Sequence, residues 1–399
     1  MLEGGSPPGL LQPQLTTEQE EWLKRVADLE PLLAAHRDRS DNVREMSREV
    51  FEALRDAGLF RMWVSRAFGG GQASILTGVT VVEALARIDA SVAWLVGTQA
   101  ALSRLSDYLP EPVAHRLYRE NTGLVIGATR PTGTAERVEG GYRLTGKWPL
   151  ASGYAHARWL LCTAVVTSGG EPVVTPAGRE ARLLLVPREQ TTAEDTWHTL
   201  GLRGTGSIDF RVDDVFVPDE LSVGRTDVLR YPPERASQAY AIDYFTFVHY
   251  ADAPVTLGIA QDALESFRPT VADRVPVGGT ATLAESHTMQ DRLARAEMLA
   301  YSARLLLWDA ARQGDRYGAT GGLPLTATVR LTAATVADKA TAAVDTVVDL
   351  AGTSVIYRKN RLERCFRDVH TANKHISMAP AHFEMVGQYL VGGPMPWRR

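Results

Sequence analysis

The sequence predicts an α+β protein in which a helical layer, a small β domain and a helical bundle follow one another along the chain. Three observations carry this. Apolar residues recur at three- and four-residue spacing up to about Leu109, short β-rich runs fill the stretch from Leu124 to about Pro218, and the helical period returns beyond Asp219. Alternating βαβ units that would build a parallel sheet are missing from this order, so a Rossmann domain is disfavoured.

Residues 1–15 lack a basic start followed by an apolar stretch and read as a disordered leader rather than a signal peptide. The first domain, residues 16–123, is expected to be helical, with Val43, Met46, Val50 and Leu54 on one face and Gly58 as a stop. The second, residues 124–220, holds the runs LVIGATR, YRLTGKW, WLLCTAVV, RLLLVP and IDFRVDDVFVP, separated by Gly, Pro and Ser clusters. In the third, residues 221–399, Val329, Ala333, Val336, Ala340, Val344 and Val347 form one apolar stripe of a long helix. GLRGTGS leads into a strand-like run instead of opening a helix, so it is no dinucleotide fingerprint.

Composition narrows the function. With 45% hydrophobic and 23% charged residues the chain is an ordinary globular one, and no apolar run approaches the roughly 20 residues that cross a bilayer, so no membrane partner is expected. A net charge of -4 offers no broad positive field, which disfavours nucleic acid. Cys162 and Cys365 lie far apart and in no metal-ligand or C-x-x-C spacing; a cytoplasmic, reducing setting fits and no metal is expected.

Several motifs, in the right order and at the right separation, together resemble the acyl-CoA dehydrogenase superfamily from about Thr16 to Gly393. GLFRMWVSRAFGGG resembles its first-domain turn, GATRPTGTAERVEGGYRLTGKW its opening β segment, and LRGTGSIDFRVDDVFVP its last strand. The resemblance implies an N-terminal helical domain, a central β-barrel or sandwich domain, a C-terminal four-helix bundle and a homotetramer. Dehydrogenation of an acyl thioester needs a carboxylate base. The family's Glu after Arg367 and Asp368 has no counterpart in VHTANKHISMAP, and the helix leading into PVTLGIA offers Val248 or its neighbours, with Asp252 out of register.

The chain is instead similar to the two-component (group D) flavin-dependent monooxygenase branch, where a His stands seven residues after that Asp; here it is His375. A neutral imidazole accepts a phenol's proton, and its other nitrogen is free to hydrogen-bond. WPLASGYAHA resembles the aromatic-then-Ser-Gly pattern beside the flavin, which makes Ser152 a donor to, or acceptor from, flavin N5, or else a plain turn serine. By the same resemblance Thr129, Thr132 and Thr134 contact the isoalloxazine edge or merely cap a turn at Pro131 and Gly133, and Trp148 covers the ring or packs in the β domain. Arg274 takes the place of a phosphate-binding Arg that reaches across a subunit boundary, or is a solvated loop residue. Gly352 and Thr353 in LAGTSVIY fall where the family approaches the pyrophosphate, although a Gln usual before them is replaced by Val347 or Val348, leaving FMN and FAD both open. By the resemblance Gln99 and Trp94 in SVAWLVGTQA, with Phe245 and Tyr250, are placed around the substrate, or else Trp94, Phe245 and Tyr250 are ordinary core; a related branch has His where Gln99 stands.

The activity thus implied is that of an oxygenase. It takes reduced FMN or FAD from a separate NAD(P)H-dependent flavin reductase, with molecular oxygen as co-substrate. Through a C4a-hydroperoxide it hydroxylates a small phenolic, polycyclic or indole-type aromatic in secondary metabolism or aromatic degradation. N-oxygenation of an amine such as an amino sugar is the alternative. A dehydrogenase or a non-catalytic flavin-storage protein would require the missing Glu, or no use for His375 and Ser152.

Overall fold

The computed structural model describes residues 10, 13–272, 274–275 and 279–395. Most of the leader expected over residues 1–15 lies outside the described residues. Helix α1, Thr17–Val43, starts at a capping box in which the Thr16 hydroxyl accepts from Gln19 N–H and the Gln19 side chain returns the bond. It is followed by α2 (Arg48–Asp56), α3 (Ile75–Ile88), α4 (Ala90–Leu102) and the single turn α5 (Glu111–Ala114).

The strands are β1 (Leu124–Val138), β2 (Gly141–Ala151), β3 (Ala157–Ser168), β4 (Glu171–Pro172), β5 (Val174–Thr175), β6 (Gly178–Arg179), β7 (Ala181–Pro187), β8 (Thr192–Glu194), β9 (Ile208–Pro218) and β10 (Ser222–Gly224). Eight of them form one sheet in the order β10-β7-β3-β1-β2-β9-β8, with β4 on β3, while β5 and β6 pair separately. Two features differ from the sequence reading. β1 and β3 run parallel, joined through β2 rather than through a helix. The expected turn at Pro131 and Gly133 is instead the middle of one 15-residue strand. Its pairing with β3 lapses between Ala128 and Gly133, which is where Pro131, lacking an N–H, is tolerated. Gly133 is needed there because a Cβ would stand 2.3 Å from the Trp148 ring.

The C-terminal helices are α6 (Tyr244–Phe267), α7 (His287–Tyr317), α8 (Gly322–Ala351), α9 (Arg361–Ala372) and α10 (Ala381–Leu390). The first four form the bundle, and α6 is its axis, packed against α3 and α4 as well as α7, α8 and α9. Its burial on all sides explains why its sequence is apolar without a polar face. The stripe from Val329 to Val347 is the buried face of α8. At the α4–α6 crossing a Cβ on Gly97 would stand 2.8 Å from the Ala251 carbonyl oxygen, so glycine sets the close approach that brings Trp94 beside α6.

Candidate active site

His375 and Ser152 both contact the Trp94 indole. His375 follows α9, its N–H bonded back to the Ala372 carbonyl at 3.0 Å, and it begins the short turn Ile376–Met378. Its ring stands edge-on to Trp94, with centroids 5.3 Å apart and planes at 82°. Trp94 Nε1 donates to Ser152 Oγ at 3.2 Å. Ser152 lies in the turn after β2, where Gly153 takes φ +81° and donates its N–H to the Thr205 carbonyl at 2.8 Å. An L side chain at Gly153 would be strained, which accounts for the Ser-Gly pair.

Asp252, at the centre of α6, supplies the partner of His375. Its side chain is fully buried; Oδ2 lies 2.9 Å from His375 Nδ1 and accepts from Ser377 Oγ at 2.6 Å. Ser377 Oγ is also 2.7 Å from Nδ1, whereas the Ser377 N–H is 3.4 Å away. The two short contacts to oxygen place the proton on Nδ1, with Ser377 donating to Asp252 and accepting from the imidazole. Nε2 is then the acceptor, and it makes no hydrogen bond among the described residues. Burial lowers the basicity of the imidazole, but the Asp252 carboxylate outweighs this and holds the His375 pKa above its ordinary value. Asp252, read from the sequence only as out of register for a dehydrogenase base, is thus the partner of His375. A carboxylate buried in a largely apolar helix must be paired, and that was its signal.

The Ser152 turn is tied to α9 from behind. Asp368 Oδ1 accepts the Leu202 N–H at 2.7 Å, and Gly201 packs so tightly on the Arg367 backbone that a Cβ would lie 2.2 Å from its carbonyl oxygen. Arg364 donates to Asp368 at 3.3 Å and to Asp89, the N-cap of α4, at 3.1 Å. One buried ion network thus fixes the helix before His375, the helix of Trp94 and the loop leading to Ser207, whose hydroxyl is 2.7 Å from Ser152 Oγ. Thr205 and Ser207 went unnoticed in the sequence because small polar residues near glycines look like turn residues.

The remaining expected residues divide. Thr129 lies in the stretch of β1 that leaves β3, beside Ala128 and Gly133, so backbone groups there are unpaired with β3. Thr132 Oγ1 donates to the Lys147 carbonyl at 2.7 Å, and Thr134 is exposed with a 3.5 Å contact to Thr145. Phe245 is half-buried on α6, seven residues before Asp252 and hence on its face. Arg274 and Gly352 come together: Gly352 has φ +60°, and a Cβ on it would stand 3.3 Å from the Arg274 guanidinium, with the exposed Thr353 next in sequence.

Three residues have their polar ends taken up inside the protein. Trp148 packs in the β domain; fully buried, it stacks on Phe210 and donates Nε1 to the Thr163 carbonyl. Gln99 is buried, its amide donating to Ser103 Oγ and its oxygen accepting the Val125 N–H, which clamps α4 to β1. Tyr250 is core, its hydroxyl donating to the Ala310 carbonyl on α7.

These groups fit a reduced flavin. Ser152 presents a hydroxyl with a fixed indole donor on one side, the β1 irregularity offers backbone groups where its pairing with β3 lapses, and Arg274 beside a side-chain-free Gly352 suits phosphate.

Comparison with known proteins agrees. The acyl-CoA dehydrogenase N-terminal domain family matches residues 16–108 and its C-terminal domain family residues 250–380. The FADH2-dependent resorcinol hydroxylase, oxygenase component, of a Rhizobium species is 30% identical, over 96% of both chains. Indole-3-acetate monooxygenase of Pseudomonas putida is 27% identical, over 92% of this chain and 94% of its own. Among solved structures, XiaF from a Streptomyces species, in complex with FADH2 and glycerol, superposes with a TM-score of 0.88 at 23% identity, covering 95% of this chain and 97% of that one.

Proposed function

The chain belongs to the acyl-CoA dehydrogenase superfamily, among the oxygenase components of two-component flavin-dependent monooxygenases, and from that premise we propose that it hydroxylates a phenolic or related electron-rich aromatic. The observation that carries the reading is His375, with Nδ1 held by Asp252 and Nε2 making no hydrogen bond among the described residues, in contact with the same Trp94 that donates to Ser152. Reduced FMN or FAD, delivered by a separate NAD(P)H-dependent reductase, supplies the electrons and activates molecular oxygen.

The protein's own groups do the rest. His375 Nε2 takes the proton of the substrate hydroxyl, raising electron density on the ring, and Asp252 steadies the imidazolium that results. Ser152 Oγ would accept a hydrogen bond from N5–H of the reduced flavin. Thr129 and the unpaired backbone of β1 border the isoalloxazine, while Arg274, Gly352 and Thr353 take the phosphate end. Trp94 and Phe245 wall the substrate side. A tetramer belongs to the same reading and is supported by the exposed Met298 and Leu305, seven residues apart on one face of α7, and by the exposed Ile356 and Tyr357. A cytoplasmic setting is supported by the two buried cysteines, both free; no helix of the described residues is long and apolar enough to cross a membrane.

The test is oxygen-18 incorporation. Given a phenol, oxygen-18 gas and reduced flavin from a separate reductase, the protein yields a labelled catechol-type product. Unlabelled phenols throughout, with an acyl-CoA oxidised in their place, would refute the assignment.

A further inference from the structure

Three hydroxyls run in a row from a backbone carbonyl to the site. Thr205 Oγ1 is 2.8 Å from the Leu202 carbonyl oxygen, which only accepts, and 2.6 Å from Ser207 Oγ, which is 2.7 Å from Ser152 Oγ. Each hydroxyl has one proton. With Thr205 donating to Leu202, Ser207 must donate to Thr205, and Ser152 must donate to Ser207. Trp94 Nε1, which only donates, occupies one lone pair of Ser152 at 3.2 Å. Ser152 is left with one lone pair and no proton for the site. Reversing the row turns the Ser152 proton outward but forfeits the bond from the Thr205 hydroxyl to Leu202, whose oxygen then keeps the Thr205 N–H at 3.1 Å and the Trp197 indole at 3.2 Å. The acceptor arrangement therefore makes one hydrogen bond more than the reverse. Thr205 and Ser207 are 1% and 3% exposed, so bulk water does not replace that bond.

We propose that Thr205 and Ser207 are positioning residues that hold Ser152 as an acceptor, and that this makes the site prefer reduced flavin, whose N5 carries a hydrogen, over oxidised flavin, whose N5 carries a lone pair. The inference rests on the placement of Ser152 at flavin N5 given under the proposed function. One neutral hydrogen bond corresponds to a preference of about two- to tenfold, or a flavin midpoint potential raised by about 10–30 mV for a two-electron couple. A chain that receives reduced flavin by diffusion and must release the oxidised form is served by a preference of this sign.

The experiment compares dissociation constants for oxidised FAD and FMN with those for the reduced forms, measured anaerobically, in the wild type and in Thr205→Val, Ser207→Ala, Thr205→Ser and Ser152→Ala. The reduced-over-oxidised ratio falls about two- to tenfold in Thr205→Val and Ser207→Ala, while Thr205→Ser, which keeps the hydroxyl, retains the wild-type ratio. An unchanged ratio in Ser207→Ala and Thr205→Val, with a changed one in Ser152→Ala, overturns the hydroxyl row and leaves the placement of Ser152 standing. A ratio unchanged even in Ser152→Ala overturns that placement. Near-ultraviolet circular dichroism checks each variant's packing, and Ser207→Ala decides the matter if Thr205→Val does not fold.

Discussion

Replacing Asp252 by Asn keeps the shape of the side chain and removes its charge. In the native site Oδ2 receives the His375 Nδ1 proton at 2.9 Å and the Ser377 hydroxyl at 2.6 Å. A hydrogen bond to a charged group contributes about 1.5–3 kcal/mol, and each 1.4 kcal/mol or so is a factor of ten. The imidazole side chain is 34% exposed, so screening moves the effect toward the lower end. The turnover number for hydroxylation is expected to fall about 10- to 100-fold, with a much smaller change in KM for the aromatic.

The pH profile separates this from a general structural effect. Asp252 raises the His375 pKa above the ordinary 6.5, against the opposing effect of burial. A group raised in the folded state contributes stability that is complete below its unfolded pKa and lost as pH rises through the folded one. The neutral base, conversely, appears only above the folded pKa, so the wild-type rate climbs with pH through an inflection above 6.5. In Asp252→Asn burial acts alone and the inflection moves down. The assay is kcat and kcat/KM against pH with reduced flavin in constant supply. An inflection that stays in place, with kcat reduced less than about twofold, would refute the dyad.

Two further predictions concern residues outside the chemistry. Trp148→Phe removes the indole donor to the Thr163 carbonyl inside the β domain; stability falls by about 1–3 kcal/mol in denaturant titration, while the dissociation constant of reduced flavin does not move, whereas a ring-covering Trp would weaken it. His249, on α6, is pushed down to about 3, first by burial and then by His382 and Arg330. Its folded pKa is depressed, so it must stay neutral: stability is whole above about 6.5 and drains away as pH falls toward 3. His249→Phe should flatten that decline by up to about 1.4 kcal/mol per pH unit, read from unfolding free energies across the interval.

The layers of the fold were legible because each has its own period. The 3.6-residue stripe of α8 and the short β runs announce themselves, and α1 begins at a Thr-x-x-Gln capping box. The parallel pairing of β1 with β3 was not legible, since it depends on which strand passes between them. Within the site, His375 and Ser152 stand out only through the resemblance. Their partners are distant in the chain: Asp252 lies 123 residues before His375 and Ser207 lies 55 after Ser152. Local pattern carries no information about such pairs, although a carboxylate inside the apolar run of α6 already demanded a partner. Trp148, Gln99 and Tyr250 were ambiguous in the sequence for the reverse reason. Large amphipathic side chains look alike whether their polar tip meets a ligand or a backbone carbonyl across the core, and in all three the core took it.

The work divides between two residues: His375 activates the substrate and Ser152 retains the flavin in productive form. The measurement that tests this most directly is the yield of hydroxylated product against hydrogen peroxide per reduced flavin consumed, in wild type, His375→Ala and Ser152→Ala. His375→Ala should bind reduced flavin as before and lose about 10²- to 10⁴-fold in hydroxylation rate, whereas Ser152→Ala should bind it more weakly and turn product into peroxide without moving the pH inflection. If both variants hydroxylated at the wild-type rate and yield, the site would lie elsewhere.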